Sequence, residues 1–228
     1  YGSFLACLGD IPTGYRYVKI AIKLAQKLNA MNNMCEVLTV GSQVMGYVEP
    51  LQSVNELIVR SLEYGLAVGS IGNAMLSCSM NIVCAFWTGK HLSLVKSTVD
   101  DTLRLMSSHS TLVWILQTLP LYRTVLAMIG NVDDVPIILG SRSDIETEKE
   151  RKMSETNLHL LKVVHFNKLY VGFIFRRYDE VKQLAVAYDA IASLPFNTIL
   201  ISHCMHVFYG GLIYFWIARK TMDVIWFD

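Results

Sequence analysis

Charge is scarce in this chain. Only 17% of its 228 residues are Asp, Glu, Lys or Arg, against roughly a quarter in an ordinary soluble domain. The charge present is balanced, 20 basic against 19 acidic residues for a net of +1. The basic excess that a general nucleic-acid binder needs is therefore missing. Proline occurs 5 times and glycine 14 times, gathered at a few places. The cysteines, Cys7, Cys35, Cys78, Cys84 and Cys204, include no CxxC and no close metal pair. An odd, widely spaced set argues against a disulfide framework and reads as buried thiols in a reducing compartment. There is no GxxxxGKS/T phosphate loop, no GxGxxG turn, no HExxH pair and no GxSxG elbow. The expectation is a chain that binds no cofactor and is not itself an enzyme. No signal or transit pattern opens it at Tyr1, and it closes in the apolar run Val224-Ile225-Trp226-Phe227. Both ends are expected to be cuts from a longer cytoplasmic protein whose address is set elsewhere.

Apolar residues make up 53% of the chain, enough to outweigh the entropy of ordering and to exclude disorder. They recur at helical spacing. Val18, Ile22, Ala25 and Leu28 form one face, and Leu51, Val54, Leu57, Ile58 and Leu62 another. Leu92, Val95, Val99, Leu103 and Met106 form a third. Period-two alternation is nowhere sustained. Turn signals separate the segments at Gly9-Asp10, Asn32-Asn33, Gly46 to Pro50, Gly69-Ser70, Thr88-Gly89, Ser107 to Ser110 and Gly130-Asn131. Gly9, Gly46, Gly89 and Gly130 lie 37, 43 and 41 residues apart. A helix pair recurring about every 40 residues is the mark of a helical-repeat array. One hairpin cannot bury its own apolar face, whereas stacked hairpins cover one another. The fold expected is all-α, a right-handed α-α superhelix of helix hairpins.

Residues 131–155 break the pattern. They hold seven acidic and four basic residues, with the run Asp144-Ile145-Glu146-Thr147-Glu148-Lys149-Glu150-Arg151-Lys152 at their centre. The division expected is three and a half units in 1–130, an acidic insertion in 131–155, and one and a half further units in 156–228. In the last part, helices are expected over 157–177, 180–193 and 196–220, with Pro195 between the second and third.

Mean hydropathy is +0.37, so the bilayer has to be weighed. Residues 64–89 and 190–218 carry no Asp, Glu, Lys or Arg, and a spanning helix needs about 20 apolar residues. The first stretch contains a turn; in the second, 196–218 is the credible span. A membrane-associated helical protein, a transporter or channel fragment, is thus the alternative to a soluble scaffold.

The candidate functional residues are polar groups set in apolar helices. Asn73, Ser77 and Asn81 fall at four-residue spacing on one face. Gln117 and Asn167 sit in later helices, and His203 and His206 in the last one. In a superhelix of hairpins such a stripe lines the concave surface that takes a peptide segment or a neighbouring domain. The plainer use of such a stripe is to pair helices by buried hydrogen bonds. His203, Cys204 and His206 have no further ligands at matching spacing, so no metal site is expected.

Particular residues carry a family likeness. Leu8-Gly9-Asp10 with Gly14-Tyr15 and Ala25-Gln26-Lys27-Leu28 resembles a tetratricopeptide unit, and Tyr64-Gly65 with Gly69-Ser70 and Ala74 resembles the same junction further on. Phe173-Ile174-Phe175-Arg176-Arg177-Tyr178-Asp179-Glu180-Val181 is similar to the F-x-x-x-x-Y-x-x-A turn. His206-Val207-Phe208-Tyr209-Gly210-Gly211-Leu212 resembles the H-x-F-Y-x-G-L stretch that closes such arrays. Together they resemble the tetratricopeptide-like helical-repeat region of large multi-domain signalling proteins. In that family a serine/threonine-kinase-like domain and an AAA-type predicted ATPase precede the repeats, and a GAF domain with a histidine kinase or a cyclase follows. The resemblance implies a non-catalytic scaffold for protein interaction or for coupling neighbouring domains. The family's ATP site and kinase residues lie outside this chain.

Overall fold

A computed structural model describes residues 1–130, 152, 156–192 and 201–222. Among these residues there are ten helices and no strand: α1 (Gly2–Cys7), α2 (Ile11–Lys27), α3 (Met31–Met45), α4 (Leu51–Ala67), α5 (Ile71–Trp87), α6 (Leu92–Ser108), α7 (Leu112–Ile129), α8 (Leu158–Ile174), α9 (Tyr178–Ala192) and α10 (Ile201–Thr221). The chain is all-α. The expected acidic insertion, apart from Lys152, and the expected break at Pro195 lie outside the described residues.

One device ends most of the helices. Gly9, Asn29, Gly69, Gly89, Ser110 and Arg176 all have positive φ, from 50° to 94°. At each of them the next residue's N–H reaches back five positions: Asp10 to Leu5, Ala30 to Ala25, Ser70 to Gly65, Lys90 to Ala85, Thr111 to Met106 and Arg177 to Gly172, at 2.8–3.2 Å. This is the Schellman closure, which satisfies the last carbonyls of a helix and turns the chain out of it. Gly adopts the left-handed conformation without a Cβ penalty, whereas Ser110 and Arg176 adopt it at a cost. The residue after the turn then starts the next helix. Asp10 does so by accepting the Thr13 N–H at 3.1 Å, with Pro12 in the first turn. The α3–α4 junction differs, with Pro50 (φ −55°, ψ 136°) setting the extended entry to α4. The turn expected at Asn32-Asn33 is corrected to residues 28–30. Asn29 takes the left-handed position (φ 50°), and Asn32 and Asn33 lie in the first turn of α3.

The described residues fall into two compact units, 1–115 with 201–203, and the remainder. In the first unit consecutive helices pack on each other from α1 to α6, and α3 also touches both α1 and α5. Turns this short force antiparallel neighbours. Val44, Val54, Ile58, Cys84 and Ile201 form one core cluster, joined from α1 and α2 by Ala6 and Val18. Ala74, Met75, Cys78 and Met106 form a second between α5 and α6. The three sequence-read faces are the buried ones, with one exception: Leu28 is 66% exposed, because as the residue capping α2 it has already left the helix face. Two glycines permit the closest approaches. At Gly14 a Cβ would stand 2.6 Å from the Gly2 carbonyl oxygen, and at Gly65 it would stand 2.9 Å from the Ala74 Cβ. In the second unit α8 packs on α9, around the fully buried Val181, Ala185, Leu169 and Leu160.

Candidate functional site

The most concentrated polar chemistry of the first unit lies inside it. Thr39 on α3, Ser61 on α4 and Ser77 on α5 are fully buried. Their hydroxyl oxygens close a triangle, Thr39 to Ser61 2.6 Å, Thr39 to Ser77 2.8 Å and Ser61 to Ser77 3.1 Å. Backbone carbonyls complete it: Cys35 O accepts from Thr39 at 2.8 Å and from Ser61 at 2.7 Å, and Asn73 O accepts from Ser77 at 2.9 Å. Each hydroxyl has one proton to give and two acceptor sites, so three protons are shared among these six contacts, and every hydroxyl has an acceptor within reach. The knot ties three successive helices at one level, where an unpaired hydroxyl would cost about 1–3 kcal/mol. The triangle includes no carboxylate or imidazole that could activate a hydroxyl. Burial pushes the Cys78 and Cys84 thiols up to about 11, which disfavours their thiolates.

A second tie uses amide chemistry. Gln43 Nε2 donates to the Met80 sulfur at 2.6 Å, and Gln43 Oε1 accepts the Ile201 N–H at 3.0 Å. At the edge of the unit, the Tyr15 hydroxyl donates to Glu49 at 2.5 Å and Lys19 approaches the same carboxylate at 3.2 Å. The Tyr15 bond, foremost, and Lys19 hold Glu49 below the usual carboxylate range.

The residues expected to line a partner groove have different fates. Asn73 is half-buried and donates to the Ser70 hydroxyl at 3.2 Å. Ser77 belongs to the hydroxyl triangle. Asn81 is half-buried two turns along α5 from Asn73, and His203 is exposed. In the second unit Gln117 is half-buried, and Asn167 is 6% exposed with both ends of its amide used. Its Oδ1 accepts from Thr124 at 2.9 Å, and its Nδ2 donates to Val163 O at 2.8 Å. His206 stacks on Phe166 with ring centres 3.8 Å apart. Ser77 and Asn167 thus spend their polar atoms between helices, while Asn73 and Asn81 keep part of their surface open. Thr39 and Ser61, the partners of Ser77, have no local signal. They stand 38 and 16 residues from it, in two other helices. Among the described residues there is no group of three or more His, Cys, Asp or Glu that could hold a metal.

The second unit is built on rings. Phe166 also meets Tyr170 and Tyr188, and Trp216 stands edge-on to Phe173 and Tyr178. Burial pushes Tyr188 up to about 12. His165 on α8 has a buried Nδ1 without a hydrogen-bond partner. Burial, helped by the Lys168 charge, lowers its pKa from the ordinary 6.5. A histidine depressed in the folded state binds its proton better when unfolded, so its stability contribution is whole above pH 6.5 and is lost as pH falls below it. His159, lowered by burial, acts with the same sign. The expected result is that acidification below this value destabilises the protein, and that His165→Gln flattens part of the slope. Denaturant titrations across this range check it; equal slopes in both proteins would refute it.

Two helices among the described residues, α7 and α10, are long and apolar enough to cross a membrane. The first of these escapes a search for uncharged runs because Arg123 lies within it. The apolar helix of the 64–89 stretch, α5, is 17 residues long. No known protein family, curated protein or solved structure matches the chain.

Proposed function

We propose that the chain is a non-catalytic helical-repeat scaffold. In this reading its hairpins continue into a right-handed α-α superhelix, and its concave side binds a protein segment or couples neighbouring domains of a cytoplasmic signalling ATPase or kinase. The observation that carries the reading is the periodicity of the turns. Left-handed residues at 9, 29, 69, 89, 110 and 130 are spaced by one helix and its turn, with the proline junction standing in the single longer gap. The contacts of α3 with α1 and α5 add the skip-one packing by which a stack of hairpins propagates. A unit of about 40 residues is longer than the 34 of the tetratricopeptide consensus. The tetratricopeptide-like label therefore rests on the turn and closing motifs of the sequence rather than on unit length.

Of the groove residues in the first unit, Asn73 and Asn81 are partly open and His203 is exposed. A photo-crosslinking residue at Asn81, in cells expressing the chain, is expected to capture a protein or a neighbouring domain of the parent at the same partner site each time. The same probe at Lys182, exposed on α9, is expected to capture none at that site. No specific adduct at Asn81 would overturn the reading. The two apolar helices, α7 and α10, support a second reading as an integral membrane protein. Resistance to extraction by alkaline carbonate would favour it, and recovery of folded chain without detergent would favour the scaffold.

A further inference from the structure

The outward side of α2 is two stripes laid side by side. Arg16, Lys19, Lys23 and Lys27 follow each other at spacings of three, four and four, and each is followed at once by an apolar residue: Tyr17, Ile20 and Leu24 within the helix and Leu28 at its C-cap. Successive residues of a helix lie 100° apart, so the basic and apolar series run parallel to the axis and adjacent. The basic residues are exposed, and the apolar series is too, at 49%, 58%, 52% and 66%. No acidic residue occurs in α2. Residues 1–35 hold four basic residues and the single acid Asp10, against a net of +1 for all 228. The opposite side is fixed to the stack by the buried Gly14, Val18 and Ala25, so the outward side is held in place by a packed core. α1 extends the apolar stripe through Phe4 and Leu8, both exposed, and Tyr1 meets Tyr17 with ring centres 6.4 Å apart.

We propose that this face of α2 docks the protein on a membrane surface carrying anionic lipid. The charge series and the apolar series together select the occupant. A helix lying in the plane of a bilayer interface needs an apolar stripe that enters the acyl boundary and a flanking basic stripe that meets the headgroups. Lysine stems run along the apolar stripe while their ammonium groups stay at the phosphates. Tyr1 and Tyr17 suit the same depth, being apolar in body and polar at the tip. Lysine supplies three of the four charges, and protein–protein interfaces are depleted in lysine. Glu49 engages Lys19 at 3.2 Å, and among the described residues no ion pair engages the exposed Arg16, Lys23 or Lys27.

The test is sedimentation of the full 228-residue chain with vesicles of phosphatidylcholine alone and of an equal mixture of phosphatidylserine and phosphatidylcholine. The chain is expected to bind the mixed vesicles, to ignore the neutral ones and to be released by salt. K23E/K27E is expected to lower partition at least about tenfold, and Ile20→Ser with Leu24→Ser to a similar degree. Lys182→Glu on α9 is expected to leave partition unchanged. All these side chains are exposed, and matching thermal unfolding of the variants establishes that they remain folded. Equal binding to neutral vesicles, binding that survives K23E/K27E, or an equal loss in Lys182→Glu overturns the proposal. So does failure to bind either vesicle while a synthetic Leu/Glu amphipathic helix binds saturably, which would assign the face to an acidic protein.

Discussion

Gly65→Val is expected to destabilise the first unit by about 3 kcal/mol or more. Gly65 lies near the end of α4 where its backbone meets α5. A Cβ built there would stand 2.7 Å from Cys35 Sγ, 2.9 Å from Ala74 Cβ and 3.2 Å from Ala74 Cα. The sulfur could swing aside; the Ala74 backbone could move only with α5. Two effects oppose each other. Replacing a helical glycine gains about 1 kcal/mol of propensity, whereas overpacking a closed contact costs about 1–3 kcal/mol for small additions. Valine adds a branched carbon on both sides of the contact and gains less propensity over glycine than alanine would, so the clash wins by about 3 kcal/mol or more. A domain with about 5–15 kcal/mol in hand loses a large part of it. The hydroxyl triangle is only one turn away at Ser61, so a shift of α4 also strains the bonds to Thr39 and Ser77. Urea unfolding followed by circular dichroism reads the loss. A midpoint within error of the wild type would show that α4 and α5 are not packed as described.

The second large effect concerns association. Phe208 and Phe215 on α10 are 58% and 56% exposed, and Leu212 between them is 40% exposed. The three share one helix face, at spacings of four and three. Contiguous apolar surface of this kind drives self-association unless something covers it. The wild-type chain is therefore expected to associate with rising concentration. Phe208→Ser with Phe215→Ser is expected to weaken that association at least about tenfold. Stability should move by about 0.5 kcal/mol or less, because exposed side chains carry little of it. Sedimentation velocity over a concentration series is the measurement. Unchanged association in the double variant, or its collapse on expression, would contradict the exposed placement.

The residues that announce themselves in the sequence are those whose chemistry is local. Gly9, Gly69, Gly89 and Gly130 mark turns because no other residue takes positive φ so cheaply, and all four have it. Asn29 fills the same role but is overshadowed by the Asn32-Asn33 pair, which is a better turn signal by composition and sits in α3 instead. The backbone decides between them: Ala25 O needed a donor five residues on, and Ala30 supplies it at 2.9 Å. The polar stripe of α5 is visible as spacing, but its use is not. Ser77 reads as a groove residue until α3 and α4 bring Thr39 and Ser61 against it, and no window of one helix contains that information. Likewise the hydropathy of Leu28 fits the inner face of α2, whereas its position past the last helical residue puts it outside.

The spacing of the left-handed residues also bears on how this chain tolerates changes of length. Deleting one helix with its turn, from Gly69 to Gly89 for instance, joins two compatible corners but reverses the direction of everything downstream. Within the first unit α6 would then offer its N-terminal end where its C-terminal end had stood, and its inner face would point away from α1–α4. Deleting a pair, from Gly69 to Ser110, joins corners of the same kind (φ 76° and 53°) and leaves the direction of the downstream helices intact. Length change that preserves packing is therefore quantised in hairpins. The left-handed corners are the sites where a cut and a splice demand least of the backbone.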